Sequence, residues 1–356
     1  MSGSPLSPGG FRPRLPFHMV WLATNVCNAR CLHCSSNSNV RTPDELTTSE
    51  AHALMDQLAD AGVLDVAFSG GEPLLRPDLF DILEHAHSRG LTTGVGSNGG
   101  HLTAAQAALL ARSGIGRFQI SLDGLATQHD RLRCWPGLFD RALHSIATAA
   151  AAGLRVHVCC TITRLNSQCL EPFTEFISRQ TVSRINFSRY VPTGRGTDAL
   201  DLTMEEWRSA VETCVVLRER YRGRLEIVSH LAQQILVDKE VQEMAGFIGC
   251  QAGIAQGCVT ANGDVLPCVL LPVPLGNVRS RAFSKIWTNS DVIRKLQDRK
   301  DLKGECSHCP KIDRCGGCRA VALAKTGDYL AADPRCWFPN AGSGVVQHLK
   351  ERMAYV

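Results

Sequence analysis

Three thiols stand within eight residues near the N-terminus, in CNARCLHC (Cys27, Cys31 and Cys34), at the spacing C-x3-C-x2-C. A structural zinc site closes its coordination with four ligands, usually in paired C-x2-C knuckles, and no fourth cysteine lies nearby. An iron–sulfur cube can take thiolates on three of its irons and leave the fourth iron open. The chemistry on offer is that of a metal group with one position kept free for a small molecule.

A second set of eight cysteines lies near the other end, at C250-x7-C258-x9-C268 and then C306-x2-C309-x5-C315-x2-C318-x17-C336. Eight thiols divide into two sets of four, which suits two zinc sites or two closed iron–sulfur clusters, and spacing does not choose between them. A region stapled in this way needs its metal to fold. The sixteen cysteines of the chain accompany an opening, MSGSPLSPGGFRPRLP, that has no apolar signal segment and reads as a disordered tail over residues 1–16. A cytoplasmic protein is expected, and in a reducing compartment such cysteine usage points to metal or catalysis rather than disulfides.

The remaining composition is that of an ordinary globular protein: 356 residues, 44% apolar and 20% charged, enough for about two domains. The net charge of +4, with no Lys/Arg run, gives no footing for nucleic acid. No uninterrupted apolar run approaches the ~18 residues of a membrane span.

The elements that must position the first loop are legible as an alternation. HMVWLATNV reads as a strand and TSEAHALMDQLADAG as a helix with a Ser/Thr cap; LDVAFSG and PDLFDILEHAHSRG follow. Then come TTGVGSNG with TAAQAALLARSG, RFQISLDG with LFDRALHSIATAAAAG, LRVHVCCTIT with CLEPFTEFISRQ, and finally RINFSRYV. Near-continuous apolar strands with crossover helices predict a parallel sheet covered on both faces. Six units fall short of the eight of a full barrel, so the expected fold is α/β: a partial (βα)6 TIM-like barrel followed by a small cysteine-rich domain. Chemistry in such sheets collects at the C-terminal strand ends. CNARCLHC follows the first strand, SGGEP (Ser69 to Pro73) the second, SNG (Ser97 to Gly99) the third and SLDG (Ser121 to Gly124) the fourth, so four polar loops converge on one rim. The boundaries expected are 17–225 for the barrel, 226–249 for linker helices, 250–340 for the cysteine-rich domain and 341–356 for a C-terminal tail or helix.

The cysteine loop after the first strand, with GGEP after the second, resembles the radical S-adenosylmethionine (radical SAM) superfamily. The resemblance implies a [4Fe-4S] cluster on Cys27, Cys31 and Cys34 whose open iron chelates S-adenosyl-L-methionine. Cleavage of that cofactor yields a 5′-deoxyadenosyl radical that abstracts a substrate hydrogen, chemistry that belongs to the cofactor while the protein binds and orients. It assigns cofactor-binding positions to His33, Gly70, Gly71, Glu72, Pro73, Ser97 and Asn98. Ser121, Asp123 and Arg189 fall where strand ends approach cofactor or substrate, with Arg189 as a carboxylate partner. From Cys250 onward GNVR, the pair Ile286 and Trp287, CGGCRA and TGDYLAADPRC resemble the SPASM extension of these enzymes. By that resemblance Cys250, Cys258, Cys268 and Cys318 hold one auxiliary [4Fe-4S] cluster and Cys306, Cys309, Cys315 and Cys336 another. The family commonly has C-x3-C where this chain has Cys315-x2-Cys318, and some relatives leave the Cys250 position open for substrate.

Of the five other cysteines, Cys159, Cys160, Cys169 and Cys214 read as small core residues. Cys134, in RLRCWPG, is the candidate hydrogen-atom donor by analogy with epimerase-type relatives. The resemblance thus implies an oxidoreductase with three clusters that modifies a ribosomal peptide or a small natural-product precursor. An aminocyclitol or sugar dehydrogenase or epimerase, and haem-pathway side-chain modification, are the alternatives; a metal-stapled scaffold without chemistry is the distant one. An electron donor such as flavodoxin or ferredoxin is implied. A peptide substrate would require a separate recognition protein, since no extra N-terminal domain for gripping a leader is seen.

Overall fold

The caps that start the helices are those the sequence marks. In the computed structural model, which describes residues 13–229 and 231–338, Thr47, Thr103 and Thr203 each accept an amide hydrogen bond and form a capping box with Glu50, Gln106 and Glu206. The strands are β1 (His18–Thr24), β2 (Asp65–Gly70), β3 (Thr92–Ser97), β4 (Arg117–Ser121), β5 (Val156–Ile162), β6 (Arg184–Arg189) and β7 (Glu226–Ser229), followed by β8 (Gln256–Val259), β9 (Asp264–Leu266) and β10 (Gly276–Asn277). The helices are α1 (Thr48–Asp60), α2 (Leu79–Ser88), α3 (Ala104–Arg112), α4 (Ala126–Arg133), α5 (Leu138–Ala151), α6 (Leu170–Ile177), α7 (Met204–Arg220), α8 (Lys239–Glu243), α9 (Phe283–Thr288), α10 (Asp291–Asp298) and α11 (Arg319–Thr326).

All ten strands join one sheet in the order β10-β9-β8-β1-β2-β3-β4-β5-β6-β7. Strands β1 to β7 pair in parallel, and crossover helices separate them in the chain, so six strand–helix units are present as expected. Strand β7 and strand β10 are the two edges, so the sheet stays open rather than closing into a barrel.

Three expectations change. Residues 226–249 begin with strand β7 on the edge of β6, not with a helix, and continue through a 3-10 turn (Ala232–Leu236) into the short α8. Of the expected tail, Pro13 and Pro16 are buried and Leu15 packs on the core, because these apolar residues cover the strand bottoms; residues 1–12 lie outside the described residues. The expected C-terminal tail or helix at 341–356 also lies outside them, as do 339 and 340. Finally, β4, β5 and β6 are apolar on one face only, whereas β1 is apolar on both, with Val20 and Leu22 packed against Cys258 and Leu266. Phe118, Ile120, Val158, Cys160, Ile185 and Phe187 share a continuous core with helix residues such as Leu54, Leu83 and Phe173. The alternate residues Gln119, Ser121, Cys159, Thr161, Asn186 and Ser188 are only half-buried. They bond across the concave face, Asn186 to Gln119 at 2.9 Å and Thr161 to Ser188 at 3.3 Å. The period-2 pattern was masked by Cys159, Cys160 and Thr161, which read as apolar or β-favouring on either face. No helix among the described residues is long and apolar enough to cross a membrane.

The N-terminal strand ends are locked by charge. Asp65 on β2 accepts both Arg117 Nη atoms from β4 (2.6 and 2.8 Å) and faces His18 Nδ1 on β1. Gly94 on the intervening strand makes room, since a Cβ there would meet the Arg117 side chain at 2.8 Å. Burial opposes ionisation of Asp65, but the His18 and Arg117 hydrogen bonds hold its carboxyl down at about 2, from an ordinary 3.8. The folded group is the stronger acid, so its contribution is complete above about pH 5 and fades as pH falls toward 2. Asp65→Asn is expected to cost about 1.5–3 kcal/mol in denaturant unfolding at pH 7, with the gap to the parent narrowing in acid. A gap that is constant from pH 7 to pH 3 would contradict the ion-pair account.

Candidate functional site

The cysteine loop has little regular structure of its own and is held from outside. At its start Glu45, buried, accepts from Thr24 Oγ1 (2.9 Å) and from the Asn25 amide (2.8 Å). The β1–β2 ladder runs on into the loop: the Gly71 amide donates to Thr24 O (2.7 Å) and the Glu72 amide to Val26 O (2.8 Å). A side chain cannot fit there, because a Cβ at Gly71 would lie 2.1 Å from Val26 O and one at Gly70 2.5 Å from Thr24 O. Gly70 also has φ +125°, a value that favours glycine.

On the other side the loop docks against α4 and the segment after β6. Leu32 N donates to Leu132 O (2.8 Å), and Arg195 N donates to Cys34 O (2.9 Å). The Arg195 guanidinium reaches Cys31 O (3.2 Å) and Ser38 O (2.9 Å). Gly194, at φ +62°, lies so close that a Cβ would be 2.4 Å from both Cys34 O and Ser35 O.

Glu72 and Asn98 are drawn together behind the loop. Glu72 is buried and its carboxylate accepts the amides of Asn98 (2.8 Å) and Leu74 (3.3 Å). Burial raises its pKa against those hydrogen bonds. Asn98 Nδ2 donates to Asn28 Oδ1 inside the cysteine loop (2.8 Å), while Ser97 Oγ closes the following turn on Gly99 N (3.0 Å). Pro73 opens a 3-10 turn, Pro73–Leu75, that leads to Arg76.

A fully buried carboxylate, Asp123, centres the far wall. It takes Arg133 Nε (2.8 Å) and Nη2 (2.7 Å) and the Thr161 amide (2.9 Å), and faces His33 Nε2 at 3.4 Å. Although burial opposes it, the Arg133 and His33 charges hold the Asp123 carboxyl at about 2, while burial lowers His33 to about 4. Arg133 Nη1 lies 3.8 Å from Cys31 Sγ, so one guanidinium bridges Asp123 and the cysteine loop.

The three thiols suit a metal group. Burial pushes Cys27 up to about 11 and raises Cys31, against the Arg133 charge. These are thiols that hold their protons until a metal displaces them. N–H donors already point at sulfur: Ala29 N at Cys27 (3.5 Å), Arg133 at Cys31, Gln256 Nε2 at Cys268 (3.5 Å), Lys311 N at Cys309 (3.4 Å), Gly317 N at Cys315 (3.4 Å) and Arg319 at Cys306 (3.9 Å). Such donors favour thiolate, the form an iron–sulfur cluster uses. Among the described residues no three His, Cys, Asp or Glu side chains gather as a single ion would require. A cluster asks less of the bare thiols, since each iron takes one thiolate.

The C-terminal thiols fall into two neighbourhoods. Cys268 senses Cys250 and Cys318, and Cys258 senses Cys268; burial drives Cys268 to about 12 and Cys318 to about 11. Cys336 senses Cys306 and Cys309, and Cys315 senses Cys336; burial drives Cys315 to about 12 and Cys336 to about 11. Strand β8, which carries Cys258, pairs in parallel with β1, so the second region shares the first region's sheet. Arginines tie its loops by backbone carbonyls: Arg299 to Ile312, Asp313 and Cys250, and Arg314 to Val241, Gln242 and Met244.

Two sequence-based assignments need correction, those of Arg189 and Asp123. Arg189 is not open to a substrate carboxylate, because it is buried and paired with Asp333 (2.7 Å). The Asp123 side chain is fully buried and filled by protein donors, Arg133 among them, so it is closed to a ligand; Ser121 is half-buried. Cys134 caps α4 in a left-handed conformation, exposed, its thiol donating to Arg131 O (3.7 Å) and bonded to none of the loop cysteines. The residues that sequence reading missed are Glu45, Arg133, Arg195 and Asp333. Helix α4 (ATQHDRLR) lacks an apolar stripe, so periodicity does not mark it. Only a charged residue beside a glycine in TGRG hinted at Arg195.

Comparison with known proteins adds the relatives. Residues 21–178 match the Radical SAM superfamily, and residues 250–310 match SPASM, an iron–sulfur cluster-binding domain. The chain is 33% identical over 338 residues to the AdoMet-dependent heme synthase of Methanosarcina barkeri, covering 91% of this chain and 96% of that one. It is 32% identical over 336 residues to the mycofactocin maturase MftC of Mycobacterium tuberculosis, covering 90% and 83%. Crystal structures of Streptococcus suis SuiB bound to S-adenosylmethionine or to precursor peptide SuiA share the fold, with TM-scores of 0.76 at 18% identity; the SAM-bound form covers 91% of this chain and 78% of that one.

Gly71→Ala tests the packing of the loop. In the metal-free protein it is expected to destabilise by about 1–3 kcal/mol. Opening of the loop cheaper by about 1.4 kcal/mol would speed alkylation of Cys31 about tenfold. Unchanged alkylation, followed by peptide mass spectrometry, would show that the loop does not depend on this approach.

Proposed function

The chain belongs to the radical SAM superfamily and carries its SPASM cluster-binding extension, and from that premise we propose that it is an oxidoreductase that cleaves S-adenosylmethionine and removes a hydrogen atom from its substrate. The observation that carries this reading is the loop of Cys27, Cys31 and Cys34, with Cys31 buried and the other two half-buried, walled by Glu72, Asn98 and Arg133, and with no fourth thiol hydrogen-bonded to it among the described residues. When bound, the cluster there would supply the electron that splits the cofactor's C–S bond, and the two C-terminal clusters an electron acceptor.

The chain's own residues bind and orient. Cys27, Cys31 and Cys34 would hold the first cluster; Cys250, Cys258, Cys268 and Cys318 the second; Cys306, Cys309, Cys315 and Cys336 the third. We assign the edge Gly70–Pro73 and the Ser97–Asn98 turn to the cofactor, with Glu72 fixing these two loops against each other through the Asn98 amide. Arg133, kept charged by Asp123, stands beside Cys31. The concave face, with Gln119, Ser121, Cys159, Thr161, Asn186 and Ser188, offers the substrate hydrogen-bonding groups but no free charge of its own.

For the substrate, full-length similarity to a heme synthase favours an iron porphyrin precursor whose side-chain carbon loses hydrogen. A peptide is the second reading, supported by similarity to a mycofactocin maturase over nine-tenths of this chain.

Anaerobic reconstitution with iron and sulfide should give about twelve irons per chain for three cubes, and added dithionite and S-adenosylmethionine should release 5′-deoxyadenosine. Cys31→Ala should lose about four irons and all cofactor cleavage above background. Incubation with iron coproporphyrin III deuterated on its side chains should carry deuterium into 5′-deoxyadenosine. Deuterium from a labelled precursor peptide instead would select the second reading. A folded protein that takes up zinc, holds no iron and cleaves nothing would overturn the enzyme reading altogether.

A further inference from the structure

The turn before Cys336 carries a carboxylate with an unusual load of donors. Asp333, fully buried, accepts from Arg189 Nη1 (2.7 Å) and Nη2 (3.2 Å), Gln233 Nε2 (2.6 Å), the Cys318 amide (2.7 Å) and the Arg335 amide (3.0 Å). These donors come from the end of β6, the 3-10 turn after β7, the start of α11 and the Asp333 loop itself. Arg189 is fixed in turn, its guanidinium 4.7 Å from the Trp207 ring and sharing Gln233 Oε1 with the Trp207 indole. Gly317 allows the close approach, since its Cβ would fall 2.8 Å from Asp333 Cβ.

Stability alone is a weak reason for such a pair, because apolar replacements of buried ion pairs are often neutral or stabilising. Its location suggests more. Cys318 lies against the pair through its amide and feels both the Arg189 and the Asp333 charge, while Cys315 and Cys336 feel Asp333. The pair therefore stands between the two cysteine neighbourhoods and also ends the barrel strand β6. Nearby charge and hydrogen bonds are among the means by which protein sets a cluster's reduction potential.

We propose that Arg189 and Asp333 set the potential of the cluster held by Cys250, Cys258, Cys268 and Cys318: the guanidinium supplies positive charge beside Cys318, and the carboxylate fixes the Cys318 amide. This rests on the reading that Cys318 is a cluster ligand. Both are positioning residues that act through Cys318. They touch neither cofactor nor substrate.

The experiment is an EPR-monitored redox titration, with iron counted, on the reconstituted full chain and three variants. Arg189→Gln removes the positive charge and should lower that cluster's midpoint by a tenfold change in its reduction equilibrium, about 59 mV for one electron. Asp333→Asn removes the negative charge and should shift the midpoint the opposite way, while Arg189→Lys should stay near the parent. Opposite shifts at unchanged iron content support the proposal. Shifts of the same sign, no shift, or lost iron with the remaining signals unmoved would overturn it and leave the pair a structural spacer. If Arg189→Gln does not fold, the sign of the Asp333→Asn shift decides. A parent protein with only about four irons would instead remove the C-terminal cluster reading, and this proposal with it.

Discussion

Strand β1 is hydrogen-bonded on both edges, to β2 on one side and to β8 on the other, in parallel and with continuous register from His18 to Trp21. Everything chemical in the molecule hangs from that double pairing. The cysteine loop leaves the C-terminal end of β1, the glycine motif leaves β2, and Cys258 sits within β8 opposite Val20. Two regions that read as separate domains share one sheet.

The cysteine loop gains its shape from borrowed contacts. Backbone of the Gly70–Gly71 turn closes one side, the Gly194–Arg195 turn the other, and the buried Glu45 and Arg133 hold the ends. Buried carboxylates at 72, 123 and 333 each accept protein donors: Glu72 takes backbone amides, Asp123 takes Arg133, which also faces Cys31 sulfur, and Asp333 takes Arg189, which lies over the Trp207 ring.

Much of this was legible in the sequence. Thr47 and Thr103 announced their helices, and the order of strand and helix from residue 18 to 190 specified a parallel sheet with the polar loops on one rim. The cysteine spacings, with GGEP beside the first set, pointed to the superfamily that the comparisons show. What escaped were partnerships that join distant positions. Arg189 reads as a free cation at a strand end until Asp333, from the last loop, meets it; β7 is four residues long and too short for its period to register; and α4 buries His129 and Arg133 where a helix normally buries leucines. Local pattern reports which face is apolar, but it cannot report which charge is already spent on a partner far along the chain.

The β1–β8 pairing also dictates an order of events. Residue 18 must find residue 256, whereas β2 through β7 find partners made shortly before them. During synthesis the first six parallel pairings can form while one edge of β1 stands bare, and that edge is covered only once residue 259 has emerged. A ribosome that stalls before residue 259 therefore leaves an unpaired strand edge of the kind that aggregates.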